Sequence, residues 1–367
     1  MAKSKIKFTI AKNPSTPVEI LKSLSMEKDE LVRADVASNP STPQDILKVL
    51  ARDKSDDVIY SVALNTNLTE ELVKILIEEE YGIRGLAENP KTSKVSLDEL
   101  AKNESERIRN LVANNPSISL DTLIQLSIDE SDWVRSGVAS NPRTSEDILL
   151  NLATEKDEDR IRAYVAQNPT APTNVLEILI KDPEESTREY AAKHPNLSIN
   201  AITECAAKKG KDASLKEYVS LNPSLPTELN LTLSRDKDSS VRASIAANTS
   251  TSLQTLELLA KDQDEGVRRN VCRNPNAKEA LLRILAKDKD DSVRWFLAMN
   301  KELSSSLLEI LSKDSSAKVR QSVAIHNNTT SDVLASLSKD KDESVRNGVA
   351  SNPNTPISVI KQYAGLN

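Results

Sequence analysis

The 367-residue chain is poor in the residues that usually make active sites or tight turns: 7 glycines, 2 cysteines, 2 histidines and 3% aromatic residues. So few glycines leave no Gly-rich loop to cradle a phosphate. Two cysteines do not make a disulfide framework, and a reducing cytoplasm is the expected setting. No Ser-His-Asp grouping or Cys-His pairing is evident. No apolar run approaches the roughly 18 residues that span a bilayer. The opening Met-Ala-Lys-Ser-Lys-Ile-Lys-Phe lacks the apolar core of a signal peptide. Neither charge sign dominates. The net charge of -6 is spread over interspersed acids and bases, so nothing pulls the chain globally toward nucleic acid or an anionic membrane. These absences argue against an enzyme, and no cofactor or metal is expected.

What the chain has in abundance is one phrase: Val-Arg-x-x-Val-Ala-x-Asn-Pro-x-Thr-Pro, then a Leu-rich run, then Asp-x-Asp. With the Asn as anchor, copies fall at Asn13, Asn39, Asn65, Asn89, Asn115, Asn141, Asn168, His194, Asn222, Asn248, Asn274, Asn300, His326 and Asn352. Ten of the thirteen intervals are 26 residues; the others are 24, 27 and 28. A fixed period of this length marks a repeat array. We expect residues 1–367 to form a single repeat-array domain of fourteen units, each touching only its neighbours.

Each repeat reads as two short helices. Asp-x-Asp offers acceptors to the free amides of a helix start. The two Val residues lie one turn apart on one face of the first helix. Pro pushes the Asn before it out of helical geometry and ends that helix. Thr, often followed by Pro, is expected to cap the second helix. Thr42 with Asp45, Thr144 with Asp147 and Thr329 with Asp332 have capping-box-like spacing. Ile46, Leu47, Leu50 and Ala51 illustrate the helical apolar spacing of the second helix.

Val-Arg-x-x-Val-Ala-x-Asn-Pro with a following Leu-x-x-Leu-Ala resembles the leucine-rich repeat variant family of bacteria, clearest at residues 131–142, 267–275 and 345–356. It is also similar to HEAT-like repeats, which share Asp-x-x-Val-Arg. The resemblance covers essentially the entire chain. It implies an all-α, right-handed α-solenoid superhelix of about fourteen 26-residue two-helix repeats, with one helix of each pair open to 3₁₀ geometry in places. It implies no single shared activity. A founding type of that family carries an iron–sulfur cluster on a separate Cys-rich segment. No such segment is found in this sequence, and no cluster is carried over.

The recurrent acids could suggest calcium, but an EF-hand loop needs a mid-loop Gly and a terminal Glu that no copy supplies. Helix capping, together with pairing to the recurrent Arg, accounts for them. His194 and His326 stand at anchors and read as turn residues. Cys205 and Cys272 read as small buried residues.

The free positions of the first helix hold the candidate site. Seven of the aromatic residues fall at the third or fourth place of the phrase: Phe8, Tyr60, Tyr164, Tyr190, Tyr218, Trp295 and Phe296. Either these places face a neighbouring repeat or they line a surface the protein uses. Tyr164, Tyr190 and Tyr218 could form a ladder in consecutive repeats. Arg269 and Arg273, Trp295, Phe296 and Met299, then Ile325, have the composition of a protein-binding patch. Tyr60 with Leu64 is a smaller apolar pair. The joints at Glu78–Gly82 and Lys208–Asp212 depart from the pattern. The function expected is a non-enzymatic scaffold for a protein or peptide. The alternatives are a nucleic-acid-binding or HEAT-like DNA-repair protein, and a HEAT-like lyase or chaperone acting on a bound protein. Net acidity and the pairing of each Arg with an Asp weigh against nucleic acid.

Overall fold

The Asn anchors decide how each repeat bends. In the computed structural model Asn39 ends its helix with φ -69 and ψ 123. Asn141 and Asn352 do the same at -74, 125 and -80, 128. This is the extended region into which a following Pro confines its predecessor. The turn therefore needs no left-handed residue. Among the described residues (2–155, 159–208 and 213–365) only Gly365 has a positive φ. Residues 209–212 of the expanded Lys208–Asp212 joint lie outside the described residues.

Twenty-eight α-helices and no strand occur among the described residues, two helices for each of the fourteen anchors. They run from seven to eleven residues, too short to persist alone in water. No 3₁₀-helix occurs among the described residues; its three-residue hydrogen bond appears only at helix ends and turns, as from Arg52 N–H to Val49 O at 3.2 Å and from Asn39 N–H to Val36 O at 3.1 Å. The chain divides into two compact units, Met1–Ala191 and Ala192–Asn367. Within each, consecutive first helices pack on one another. Most of the second helices pack against their own first helix and the next.

The core is the periodic set. Val32, Val36 and Ala37 of the first helix and Leu47 and Leu50 of the second are buried, as are Val319, Val323, Ala324, Leu334 and Leu337 in the second unit. Truncating one such Leu to Ala costs about 2–5 kcal/mol.

Two polar ladders join neighbouring repeats, and a third recurs within single repeats. In the first, each anchor amide reaches back one repeat: Asn65 Nδ2 donates to Ala37 O at 2.6 Å and Asn39 O at 3.0 Å, while its Oδ1 accepts Asn67 N–H at 2.8 Å. Asn274 repeats this in the second unit. The amide thus satisfies buried carbonyls that the short helices leave open.

The second ladder is ionic. Arg33 binds Asp53 through Nε and Nη2, both at 2.7 Å, and Nη1 donates to Glu27 O at 2.7 Å. The pattern recurs at Arg109–Asp129, Arg242–Asp262, Arg268–Asp288, Arg294–Asp314 and Arg320–Asp340. The two acids of Asp-x-Asp divide the work. Asp340 takes Arg320, and Asp342 accepts Ser344 N–H at the helix start. Repeat three holds Ile59 at the Arg place, buried, so the ion pair is not essential in every unit.

The third ladder corrects the expected cap. Thr42, Thr144 and Thr329 do not cap the second helix. Each hydroxyl turns inward and donates to a first-helix carbonyl, Val36 O, Val138 O and Val323 O, at 2.6 Å. The residues at the cap itself are Pro43, Ser145 and Thr330. A buried carbonyl six residues earlier outcompetes the exposed amides for the hydroxyl, because water can serve the exposed ones.

Candidate functional site

Counted back from the anchor, the variable third, fourth and seventh places are five, four and one residues away. In a helix these share a stripe with the place eight residues before the anchor. The sequence reading overlooked that eighth place. It holds Tyr81, Trp133 and Lys318. Tyr81 and Trp133 are exposed large side chains. The signal was available, since -8, -5, -4 and -1 have the i, i+3, i+4, i+7 spacing of one helix face.

Repeat stacking brings this stripe against its neighbours in a fixed pattern. The place at -4 faces the previous repeat. Gly85 stands there so closely that an added Cβ would lie 2.5 Å from Ala63 Cβ. Phe296 occupies the same place in repeat twelve. Its ring lies beneath two guanidinium groups of the preceding repeat, Arg273 at 4.4 Å and Arg269 at 5.1 Å from the ring centre. Trp295 packs edge-on against Phe296, with centroids 5.0 Å apart and planes at 88°. From the next repeat Lys318 Nζ lies 3.5 Å from the Trp295 ring centre.

Arg269, Arg273, Trp295 and Phe296 are thus brought together, with Lys318 added. The rings are half-buried between first helices, so each contacts a neighbouring repeat and also lines the surface. Met299 and Ile325 sit one turn further on, exposed at 43% and 54%. Ala298, Met299, Lys301, Ser322 and Ile325, with the anchor His326, line a groove of about 350 Å³.

In the first unit, Arg84 lies 5.0 Å from the Tyr60 ring centre, and the Tyr60 hydroxyl donates to Glu88. Burial, then the bond to Glu88, raises the phenol above its ordinary value. Leu64 is exposed at the C-cap of the helix that carries Tyr60. Tyr164 and Tyr190 are exposed at the fourth place. In the second unit Lys193 Nζ lies 5.4 Å from the Tyr218 ring centre, again a cation one residue before its anchor over an aromatic ring at -4.

No grouping of His, Cys, Asp or Glu suited to a metal occurs among the described residues, and no helix is long and apolar enough to cross a membrane. His194 and His326 are turn residues, as their anchor places suggested: their Nδ1 atoms accept Asn196 N–H at 3.1 Å and Asn328 N–H at 3.0 Å.

Among solved structures, a leucine-rich repeat variant with a repetitive structural motif is 22% identical over 61% of this chain and 87% of its own, with a TM-score of 0.39. This chain is similar to helical-repeat proteins. Importin beta is 14% identical over 97% of this chain and 48% of its own, with a TM-score of 0.25. The chain spans about half the length of importin beta. No family model and no curated protein matches the sequence. The superpositions are loose, and the fold described above stands on the chain's own helices and ladders.

Proposed function

We propose that this chain is a non-enzymatic scaffold that binds a protein or peptide along the variable face of its first helices, with residues 1–367 acting as one cytoplasmic array. Stacked repeats give extended binding surfaces. The carrying observation is the cluster of Trp295, Phe296, Arg269 and Arg273 beside exposed Met299 and Ile325. Trp and Arg anchors dominate interface energetics. Tyr60 with Leu64, and Tyr164 and Tyr190, hold the equivalent variable places in the first unit, and Tyr218 holds one in the second. Nucleic acid is disfavoured because the recurrent Arg residues are consumed by Asp partners.

Capture from native lysate tests this reading. The intact chain and a Trp295→Ala, Arg269→Ala variant with unchanged melting behaviour are compared as baits. The scaffold reading expects partners retained by the intact chain and lost from the variant. Identical recovery on both baits would overturn the assignment of this cluster.

A further inference from the structure

We infer that the groove at Met299 and Ile325 takes an acidic peptide segment bearing a large apolar side chain. The inference rests on the scaffold reading and names the chemistry of the partner at that site.

Charge carries the argument. Most of the buried Arg residues described above are neutralised by an Asp. Three cations in or near the groove's repeats are not. Arg273, Lys301 and Lys318 form no ion pair among the described residues, although the chain as a whole is acidic. Arg273 lies over Phe296 and Lys318 over Trp295, while Lys301 lines the groove itself. A cation held against a ring keeps donors free for a carboxylate. The groove lined by Lys301 has the exposed apolar side chains Met299 and Ile325, with Lys318 on the Ile325 helix and Arg273 in the preceding repeat. Apolar floor and cationic flanks together match a peptide with one large apolar residue among glutamates or aspartates.

The same geometry argues against a nucleic-acid strand. Single strands bind by stacking bases on aromatic faces. Here the ring faces carry the protein's own cations at 3.5–5.1 Å. A base would have to displace the charges that attract its phosphates.

The test uses the full chain and labelled eight-residue peptides read by fluorescence anisotropy. One has Leu-Phe flanked by glutamates, a second has glutamines in their place, a third lysines, and a fourth has glutamates flanking Ser-Ser. A thymidine oligonucleotide is the fifth probe. The expected result is that the acidic Leu-Phe peptide binds at least about ten-fold more tightly than the other four, and that added salt weakens it. Arg273→Glu with Lys318→Glu should reverse the preference toward the lysine-flanked peptide, a gain that misfolding cannot mimic. Equal binding of the glutamate and glutamine peptides, tighter binding of the oligonucleotide, or no binding by any peptide overturns the inference. If lysate partners are still lost on Trp295→Ala while the acidic peptide is ignored, only this inference falls. If neither responds, the scaffold reading falls with it.

Discussion

His326 hydrogen-bonds through Nε2 to the carbonyl of Asn300 at 3.0 Å, doing with an imidazole what the anchor amide does elsewhere. Its Nδ1 accepts the Asn328 amide at 3.0 Å, so the ring is neutral with its proton on Nε2. An Asn at this place ordinarily makes two back-bonds, as Asn352 does to Ala324 O and His326 O. His326→Asn is therefore expected to preserve or raise the melting temperature. His326→Ala should lower stability by about 1–3 kcal/mol, because the Asn300 carbonyl and the Asn328 amide lose their partner. Denaturant unfolding of both variants checks this. An alanine variant as stable as the parent would mean that water replaces the ring freely.

The Arg320–Asp340 pair governs the response to acid. Arg320's hydrogen bonds hold the Asp340 carboxyl below its ordinary value, against the opposing effect of burial, and the Asp342 amide helps. A depressed carboxylate contributes stability above its unfolded value, near 3.9, and loses it as pH falls through the lower folded value. Asp53, Asp129, Asp262 and Asp314 behave alike. Burial opposes ionisation there, and bonds from Arg and from a loop amide outweigh it. Helicity should hold from neutrality down to about pH 4 and be lost cooperatively below. At pH 7 Asp340→Asn should cost about 3 kcal/mol by stranding Arg320. That deficit should shrink as pH falls below about 4, where the unfolded parent's carboxyl is protonated first and the folded one follows at its lower value. A deficit independent of pH would show that the charge contributes nothing.

Most of the fold was legible because repetition multiplies each weak signal. One Val-Arg-x-x-Val-Ala is ambiguous, whereas fourteen in register are not. Capping and Arg pairing were legible as the two roles of Asp-x-Asp, but which acid takes which role shows only in the hydrogen bonds of Asp340 and Asp342. The Thr residues were misread because cap and buried-carbonyl geometry use the same residue type, and only burial separates them. Trp295, Phe296 and Arg273 were legible as a cluster. The place of Lys318 on the variable stripe was legible from spacing, but its contact with Trp295 was not, because it crosses between repeats and depends on stacking offset, which no sequence period reports.

Thr187 stands where Val32 and Val58 stand in other repeats, fully buried, with its hydroxyl unpartnered. Ala191, one turn on, replaces the second Val of the phrase. The eighth repeat thus has a thinner apolar seam than its neighbours. Thr187→Val removes an unsatisfied buried hydroxyl at nearly constant volume and is expected to stabilise by about 1–2 kcal/mol. Thermal melting reads the gain. A loss of stability would mean that the hydroxyl has a partner, such as an ordered water.

Cys272 takes the Ala place beside the anchor and is fully buried, its Sγ 3.7 Å from Val293 O. Burial, reinforced by the charge of Asp288, pushes its thiol up to about 12. Since the thiolate is the nucleophile, the native chain should leave Cys272 unmodified by a maleimide at pH 8, and denaturant should release it. Because the repeat needs only a small apolar side chain here, Cys272→Ala should fold and melt within about 1 kcal/mol of the parent. Peptide mass mapping distinguishes Cys272 from Cys205. Rapid labelling of native Cys272 would place the first helix of the eleventh repeat in an open state that the packing of Val267, Val271 and Val293 does not predict.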